Sequence, residues 1–212
     1  MKKRISMLLA LVFVFSVLFI PVQAADTAGV AVSGTISLDD LDSNPDVIVS
    51  DPMTFTEMIA RMEKNADMSY DEVLRMLPDT MQTQAARSNA YRSFTARLYV
   101  TDEYQPYLDF YCATSEGGHF FNINSIYSIQ LVRSYNGISK QFWGEVNAWL
   151  RSSNSIEYYV NGDFFNNGTT TVSGGIGVNA GLNVKCSVTC SVSYSSNHYK
   201  YFYVHKTIKY GS

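Results

Sequence analysis

The sequence predicts a mainly β protein: an antiparallel β-sandwich or small barrel of about eight strands over residues 91–210, preceded by a short α-helical hairpin at 54–78. Three observations predict this fold class. Apolar and polar residues alternate along much of the second half, which is the period of a half-buried strand. Glycine-containing turn signals separate the alternating stretches. Ahead of them, two helix-capping signals mark the starts of two short helices.

Residues 1–24 have the features of a secretory signal peptide. Three basic residues stand within the first four positions, an apolar run extends from Met7 to Ile20, and Val22-Gln23-Ala24 forms a small-x-small cleavage site. The apolar run is shorter than the ~20 residues of a membrane-spanning helix, so an uncleaved anchor is the less favoured alternative. We therefore expect a secreted, extracellular protein of bacterial type that begins near Ala25.

Residues 25–52 predict a flexible acidic leader, because they contain several carboxylates and few large apolar side chains. The charge is uneven along the whole chain. Residues 25–79 have a net charge of −9, whereas residues 80–212 have a net charge of +3. Such asymmetry suggests two parts with different roles.

Two capping boxes predict the helical hairpin, which with its linker occupies residues 53–89. Thr54-Phe55-Thr56-Glu57 opens the first helix, and Ser69-Tyr70-Asp71-Glu72 opens the second. Helices this short bury too little surface to be stable alone, so they must dock on the following domain or remain marginal. Their position between an acidic leader and a basic domain makes residues 25 to about 86 a possible pro-region.

The β domain is expected to occupy residues 90–212, and two hairpin signals divide it. Asn136-Gly137 is a two-residue turn signal that would place Leu131 opposite Phe142 and Tyr127 opposite Val146. Residues 138–149 also fit a helical spacing, but Gly144 favours a strand.

Asn161-Gly162 is a second hairpin signal, which would place Tyr158 opposite Phe165. A final strand is predicted from His198 to Tyr210.

The longest alternating stretch runs from Val172 to Tyr194. A single strand of that length would exceed the usual ~3 to 10 residues, so the stretch must fold back on itself. An odd number of loop residues preserves the alternation, and Asn179-Ala180-Gly181 supplies such a loop. The result is an amphipathic β-hairpin at residues 170–190.

Three cysteines, Cys112, Cys186 and Cys190, fall on apolar strand faces. Cys186 and Cys190 are separated by about 13 Å along one strand, beyond the ~7 Å limit for a disulfide. In an oxidising exterior, Cys112 can pair with Cys186 or with Cys190; the alternative is that all three are buried thiols. No metal site is expected, because the cysteines and histidines lack ligand spacings.

Val188-Thr189-Cys190, together with the upstream Gly118-His119, resembles the sortase transpeptidases. Those enzymes use a strand-borne cysteine after a threonine, an upstream histidine, and an arginine shortly after the cysteine. Here no arginine follows Arg151, so the group that would stabilise the developing oxyanion is missing. The resemblance implies a cysteine transpeptidase-like enzyme as a distant alternative. We nominate no catalytic residue and expect no cofactor.

Aromatic residues are abundant, with fifteen tyrosines, twelve phenylalanines and two tryptophans. Six side chains are the candidate binding residues, because alternation places them on sheet faces away from the apolar positions: Trp143, Trp149, Tyr199, Tyr201, Tyr203 and His205. Aromatic rings on a solvated face stack on sugars or lie among lipid headgroups. The alternative is that a second sheet or the helical hairpin covers these faces.

Two classes of function follow. The first is a secreted, non-enzymatic binding module that recognises a surface glycan, a cell-envelope component, a membrane surface or a protein through an aromatic sheet face. The second is a membrane-active protein, such as a bacteriocin or pore former, that uses the hairpin at 170–190; its arms have the ~9 residues that a tilted membrane strand needs. No nucleic-acid partner is expected.

Overall fold

The computed structural model describes residues 47–77, 90–117, 120–166 and 197–210, and it gives residues 32–36 and 185–190 as backbone strands. Several sequence predictions therefore lie outside the described residues. These are the signal peptide, the linker after the helices, and the turn at Asn179-Ala180-Gly181 with most of its hairpin. No helix in the described ranges is both long enough and apolar enough to span a membrane.

Two helices and eleven strands make up the described chain. The helices are α1 (Phe55–Ala66) and α2 (Tyr70–Met76). The strands are β1 (Val32–Ile36), β2 (Val47–Val49), β3 (Ala90–Arg97), β4 (Tyr107–Gly117), β5 (Phe120–Val132), β6 (Ser134–Tyr135), β7 (Ile138–Ser139), β8 (Gln141–Ser152), β9 (Ser155–Phe165), β10 (Lys185–Cys190) and β11 (His198–Lys209).

The strands form two main sheets and a short separate hairpin. One sheet has five strands in the order β1-β11-β9-β8-β10, the other has four in the order β2-β3-β4-β5, and β6 pairs with β7. All pairs are antiparallel except β1 with β11, which is parallel. Neither sheet closes into a barrel within the described residues. The mainly β prediction is confirmed, with two sheets packed face to face.

The main core lies between the two sheets. Phe110 of the four-stranded sheet packs on Tyr158 of the five-stranded sheet, with ring centroids 5.2 Å apart. Phe142 and Phe164, neighbours on the five-stranded sheet, pack at 4.9 Å. Both inner faces contribute fully buried aliphatic side chains as well, so a single core joins the sheets.

The helical hairpin docks on the outer face of the four-stranded sheet. Both predicted capping boxes are present, at Thr54 and at Ser69. The helices bury an apolar stripe against three tyrosines of the sheet; the participants are Met58, Ile59, Met62, Val73, Leu77, Tyr91, Tyr111 and Tyr127. The sequence left two outcomes open for the helices, docking or marginal stability, and the structure shows docking.

A buried carboxylate, Asp109, also ties α1 to the sheet. The Nδ2 of Asn65 donates to its Oδ2 at 2.6 Å, and the Nε of Arg61 lies 3.4 Å from the same oxygen. From the sheet, the hydroxyl of Thr95 donates to Oδ1. A buried charge is tolerated only when it is paired and hydrogen-bonded, so these partners fix where α1 sits.

The Asn136-Gly137 turn is confirmed, but the strand pairing predicted around it is wrong. Both residues have positive φ, and Ser134 pairs with Ser139 in the predicted register. Beyond that point β5 pairs with β4, and β8 pairs with β9. The reason is that the chain crosses here from one sheet to the other, so Leu131 and Phe142 are not strand partners.

The hairpin predicted at Asn161-Gly162 is also wrong, because both residues lie inside β9 and the turn falls between Ser152 and Ser155. Gly162 pairs with Gly144 across the sheet. A Cβ on Gly162 would lie 2.4 Å from the carbonyl oxygen of Trp143. Glycine is required here because the neighbouring backbone and the Phe142 ring approach too closely for a Cβ. Close approach of this kind is a common role of glycine within a strand.

The leader prediction needs a correction at two places. Val47–Val49 forms β2 against β3, with Val47 buried in the core, and Val32–Ile36 forms β1 against β11. The acidic composition predicted flexibility, but these two short runs contain β-branched residues and reach strands that offer backbone partners. These segments of residues 25–52 are strands.

Candidate functional site

The outer face of the five-stranded sheet carries most of the candidate binding residues. We call it the aromatic face. It comprises the outward side chains of β8, β9 and β11: Trp143, Glu145, Asn147, Trp149, Glu157, Tyr159, Asn161, Asp163, Tyr201, Tyr203 and His205. Neither described helix packs on this face, since α1 and α2 dock on the other sheet.

Strand register arranges the aromatic face in rows. The first row is Trp143, Asp163 and Tyr201, and the second row is Glu145, Asn161 and Tyr203. Neighbouring strands lie about 4.8 Å apart, so the backbone positions of Trp143 and Tyr201 are separated by roughly 10 Å. A carboxylate thus stands between two aromatic positions in the first row.

The two aromatic residues of the first row are the most exposed aromatic side chains on the face. Trp143 is 58% exposed and Tyr201 is 44% exposed. The hydroxyl of Tyr201 donates to the Oδ1 of Asn161 at 2.8 Å, and the Nε2 of His198 lies 2.7 Å from the Oδ1 of Asp163. Hydrogen bonds therefore orient Tyr201 and Asp163 on the surface.

Further down the face, Trp149 is held in a packed cluster and is only partly exposed. The ring centroids of Trp149 and Tyr159 lie 5.5 Å apart, and the Cζ of Arg151 lies over the Trp149 ring, 5.5 Å from its centroid. Arg151 also pairs with Glu157, and this hydrogen bond lowers the pKa of that carboxyl. His205 contacts Glu157 from the opposite side at 2.7 Å. The polar side chains in this part of the face therefore bond to one another.

Tyr159 links the two regions of the aromatic face. Its hydroxyl donates to the Oε2 of Glu145 at 3.1 Å, and the Nδ2 of Asn147 donates to the same oxygen at 2.8 Å. Burial and the adjacent Glu145 carboxylate raise the pKa of Tyr159, so its hydroxyl remains a donor. These two hydrogen bonds orient the carboxylate of Glu145, which is the β8 member of the second row.

Tyr199 does not belong to the aromatic face, contrary to the prediction. The pairing register shifts between His198 and Lys200, so strand alternation fails at this position. The Tyr199 ring instead packs beside Tyr104, with the Nζ of Lys140 3.6 Å from its centroid. The irregularity turns Tyr199 toward the rim of the core.

Of the three cysteines, Cys112 has a described side chain, whereas Cys186 and Cys190 are described by backbone position. Cys112 is buried between the sheets. The register of β10 places Cys186 opposite Ala148 and Cys190 opposite Gly144. The side chains of residues 185–190 and the whole of His119 lie outside the described residues, so both the disulfide and the transpeptidase-like site stay predictions. Among the described side chains no group of three metal-ligating residues converges.

Sequence reasoning did not nominate three polar residues of the first two rows, Glu145, Asn161 and Asp163, or their neighbour Tyr159 in the next row. The signal was present, because residues 155–165 alternate between apolar and polar positions. The hairpin predicted at Asn161-Gly162 interrupted that alternation and concealed the shared face.

The chain was compared with known protein families, with curated proteins and with solved structures, and none of the three comparisons finds a match. A functional proposal therefore depends on the chemistry of the aromatic face. That face offers exposed ring surfaces, oriented carboxylates and an amide on three adjacent strands.

Proposed function

We propose that this chain is a secreted, non-enzymatic binding module that recognises a glycan of a cell surface or cell envelope through its aromatic face. The observation that carries the proposal is the exposure of Trp143 and Tyr201 in one row of a sheet face that no described helix covers. Secretion is proposed from the signal-peptide features of residues 1–24.

The arrangement suits a ligand with flat, partly apolar surfaces. Sugar rings present such surfaces, and aromatic side chains combine a large apolar body with polar edges that match them. The rings project from β8 and β11, the two strands that flank β9 in one sheet, and Tyr201 is hydrogen-bonded to Asn161. A surface that is already ordered loses little conformational entropy on binding.

The test is the double variant Trp143→Ala/Tyr201→Ala, assayed for binding to immobilised glycans and to isolated cell envelopes. We expect its affinity to fall about tenfold or more, because exposed aromatic anchors dominate binding at such surfaces. The matched control is Phe120→Ala/Tyr99→Ala, which removes aromatic residues that are 57% and 44% exposed but lie off the aromatic face. This control should bind like the parent protein.

Equal binding by both double variants would reject the aromatic face as the ligand site. A dye-release assay with vesicles separates the membrane-active alternative, since a pure binding module releases no dye. The described end of the predicted 170–190 hairpin, β10, pairs with β8 at one edge of the five-stranded sheet.

A further inference from the structure

We infer that the first two rows of the aromatic face select a polysaccharide with free, positively charged amino groups. This inference rests on the proposed function and specifies its ligand. The inferred ligand is an amino-sugar chain whose amino groups are not acetylated.

The charge of these two rows carries the inference. Asp163 lies between Trp143 and Tyr201, and Glu145 lies in the adjacent row beside Asn161. The six side chains of the two rows include two carboxylates and no lysine or arginine. The cationic side chain of Arg151 is further down the face, where it is paired with Glu157.

A cation is the ligand group that both kinds of side chain favour. The face of an aromatic ring attracts a positive charge, and tryptophan does so most strongly. A carboxylate accepts a charge-assisted hydrogen bond from an ammonium group. An anionic sugar would instead meet two like charges, which is unfavourable at close range.

The spacing favours a chain of sugar rings over an isolated ammonium group. Two aromatic positions roughly 10 Å apart can each support a ring, with Asp163 between them. The side chain of Asp163 is 30% exposed, so it is accessible from the surface as well as bonded to His198. An amino sugar combines a ring surface with an amine at the same unit.

The experiment uses the whole mature protein and four probes of equal length. These are β-linked oligomers of glucosamine, N-acetylglucosamine and glucose, and an oligomer of galacturonic acid. We expect the glucosamine oligomer to bind about tenfold more tightly than the acetylated and neutral oligomers, because its ammonium groups can contact both an aromatic ring and a carboxylate. The galacturonic acid oligomer should bind most weakly. Added salt should reduce the preference for glucosamine over the neutral oligomers, because it screens the attraction between exposed charges.

The variant Asp163→Asn/Glu145→Gln should abolish that preference while retaining weak binding of the neutral oligomer. Its control is Asp102→Asn/Glu103→Gln, which removes two exposed carboxylates from the turn between β3 and β4. The control should keep the preference.

Equal affinity for glucosamine and N-acetylglucosamine, or an unchanged preference in Asp163→Asn/Glu145→Gln, would overturn the inference. The proposed function would survive either result if Trp143→Ala/Tyr201→Ala still loses glycan binding. If that double variant binds every probe like the parent protein, the proposed function fails as well.

Discussion

Glu116, near the end of β4, joins the two sheets through Arg92 of the four-stranded sheet and Tyr210, which follows β11. The Nε and Nη2 of Arg92 donate to its two oxygens at 2.6 and 2.8 Å, and the hydroxyl of Tyr210 donates to it as well. The ring of Tyr210 packs edge-on against Phe94 with centroids 5.0 Å apart. The hydrogen bond from Arg92 is the main cause that lowers the pKa of Glu116 to about 2.

This pKa predicts an acid-dependent loss of stability. A carboxyl whose pKa is lower in the folded state than its value of 4.5 stabilises the fold above that pH. The contribution should decline as the pH falls from about 4.5 toward 2, because the folded state resists protonation. We expect Glu116→Gln to unfold at lower denaturant concentration than the parent at pH 7, with the difference shrinking in acid.

Glu103→Gln provides the control for the acid titration, since Glu103 is exposed and outside this cluster. Denaturant unfolding midpoints measured at several pH values decide the matter. A constant difference between Glu116→Gln and the parent at all pH values would contradict the assigned role.

Gly162 gives a second prediction at the residue scale. An added Cβ would meet the Trp143 carbonyl oxygen at 2.4 Å and the Gly144 Cα at 2.7 Å. Gly162→Ala should therefore destabilise the protein by about 1–3 kcal/mol, as overpacking of a core does. Gly117→Ala is the matched control, because nothing lies within 4 Å of the corresponding Cβ. Urea unfolding compares the two, and similar midpoints would show that the glycine pair is not needed for packing.

At the scale of elements, the helical hairpin forms part of the folded structure. Met58, Ile59 and Met62 are fully buried against tyrosines of the four-stranded sheet. Removing the helices would expose those tyrosines and leave Asp109 without Arg61 and Asn65. A pro-region that is cut away would have to compensate for both losses.

The corresponding prediction compares two truncated chains. A chain that begins at Ser88 should lose cooperative thermal unfolding and bind a hydrophobic dye, because apolar surface and a buried carboxylate become exposed. A chain that begins at Asp46 keeps β2 and both helices and serves as the control, which should unfold cooperatively. If the shorter chain instead folds and binds its target more strongly, residues 25 to about 86 act as a pro-region.

Local signals predicted several elements correctly. The capping boxes at Thr54 and Ser69 indicated both helix starts, and Asn136-Gly137 indicated a turn, because these features depend on a few adjacent residues. The choice of sheet for each strand depends on distant partners, so the pairing of β5 with β8 was predicted wrongly. A glycine can serve a turn or close packing, and the sequence around Gly162 did not distinguish them.

The candidate site was predictable to the same extent. Alternation placed Trp143, Trp149, Tyr201 and Tyr203 on the side opposite the buried Phe142 and Val146. It failed at Tyr199, where the register shift changes the face. The position of Asp163 between Trp143 and Tyr201 follows from pairing across strands, which no single stretch of sequence reveals.

For the whole molecule, the two outer faces differ. The outer face of the four-stranded sheet is covered by α1 and α2, whereas Trp143 and Tyr201 of the aromatic face are exposed. The described chain is thus layered as helices, four-stranded sheet and five-stranded sheet. Ligand binding at the aromatic face and helix docking occur on opposite sides, so variants at one should have little effect on the other.

The position of β11 has a consequence for how the protein is made. This last strand lies inside the five-stranded sheet, between β9 and the early strand β1, and it contributes Val204 and Ile208 to the core. The sheet therefore cannot be completed on the ribosome until residues 198–209 have been synthesised. A chain exported during synthesis would cross the membrane before its core closes, and a premature stop before His198 would leave β9 with an unpaired edge that invites aggregation.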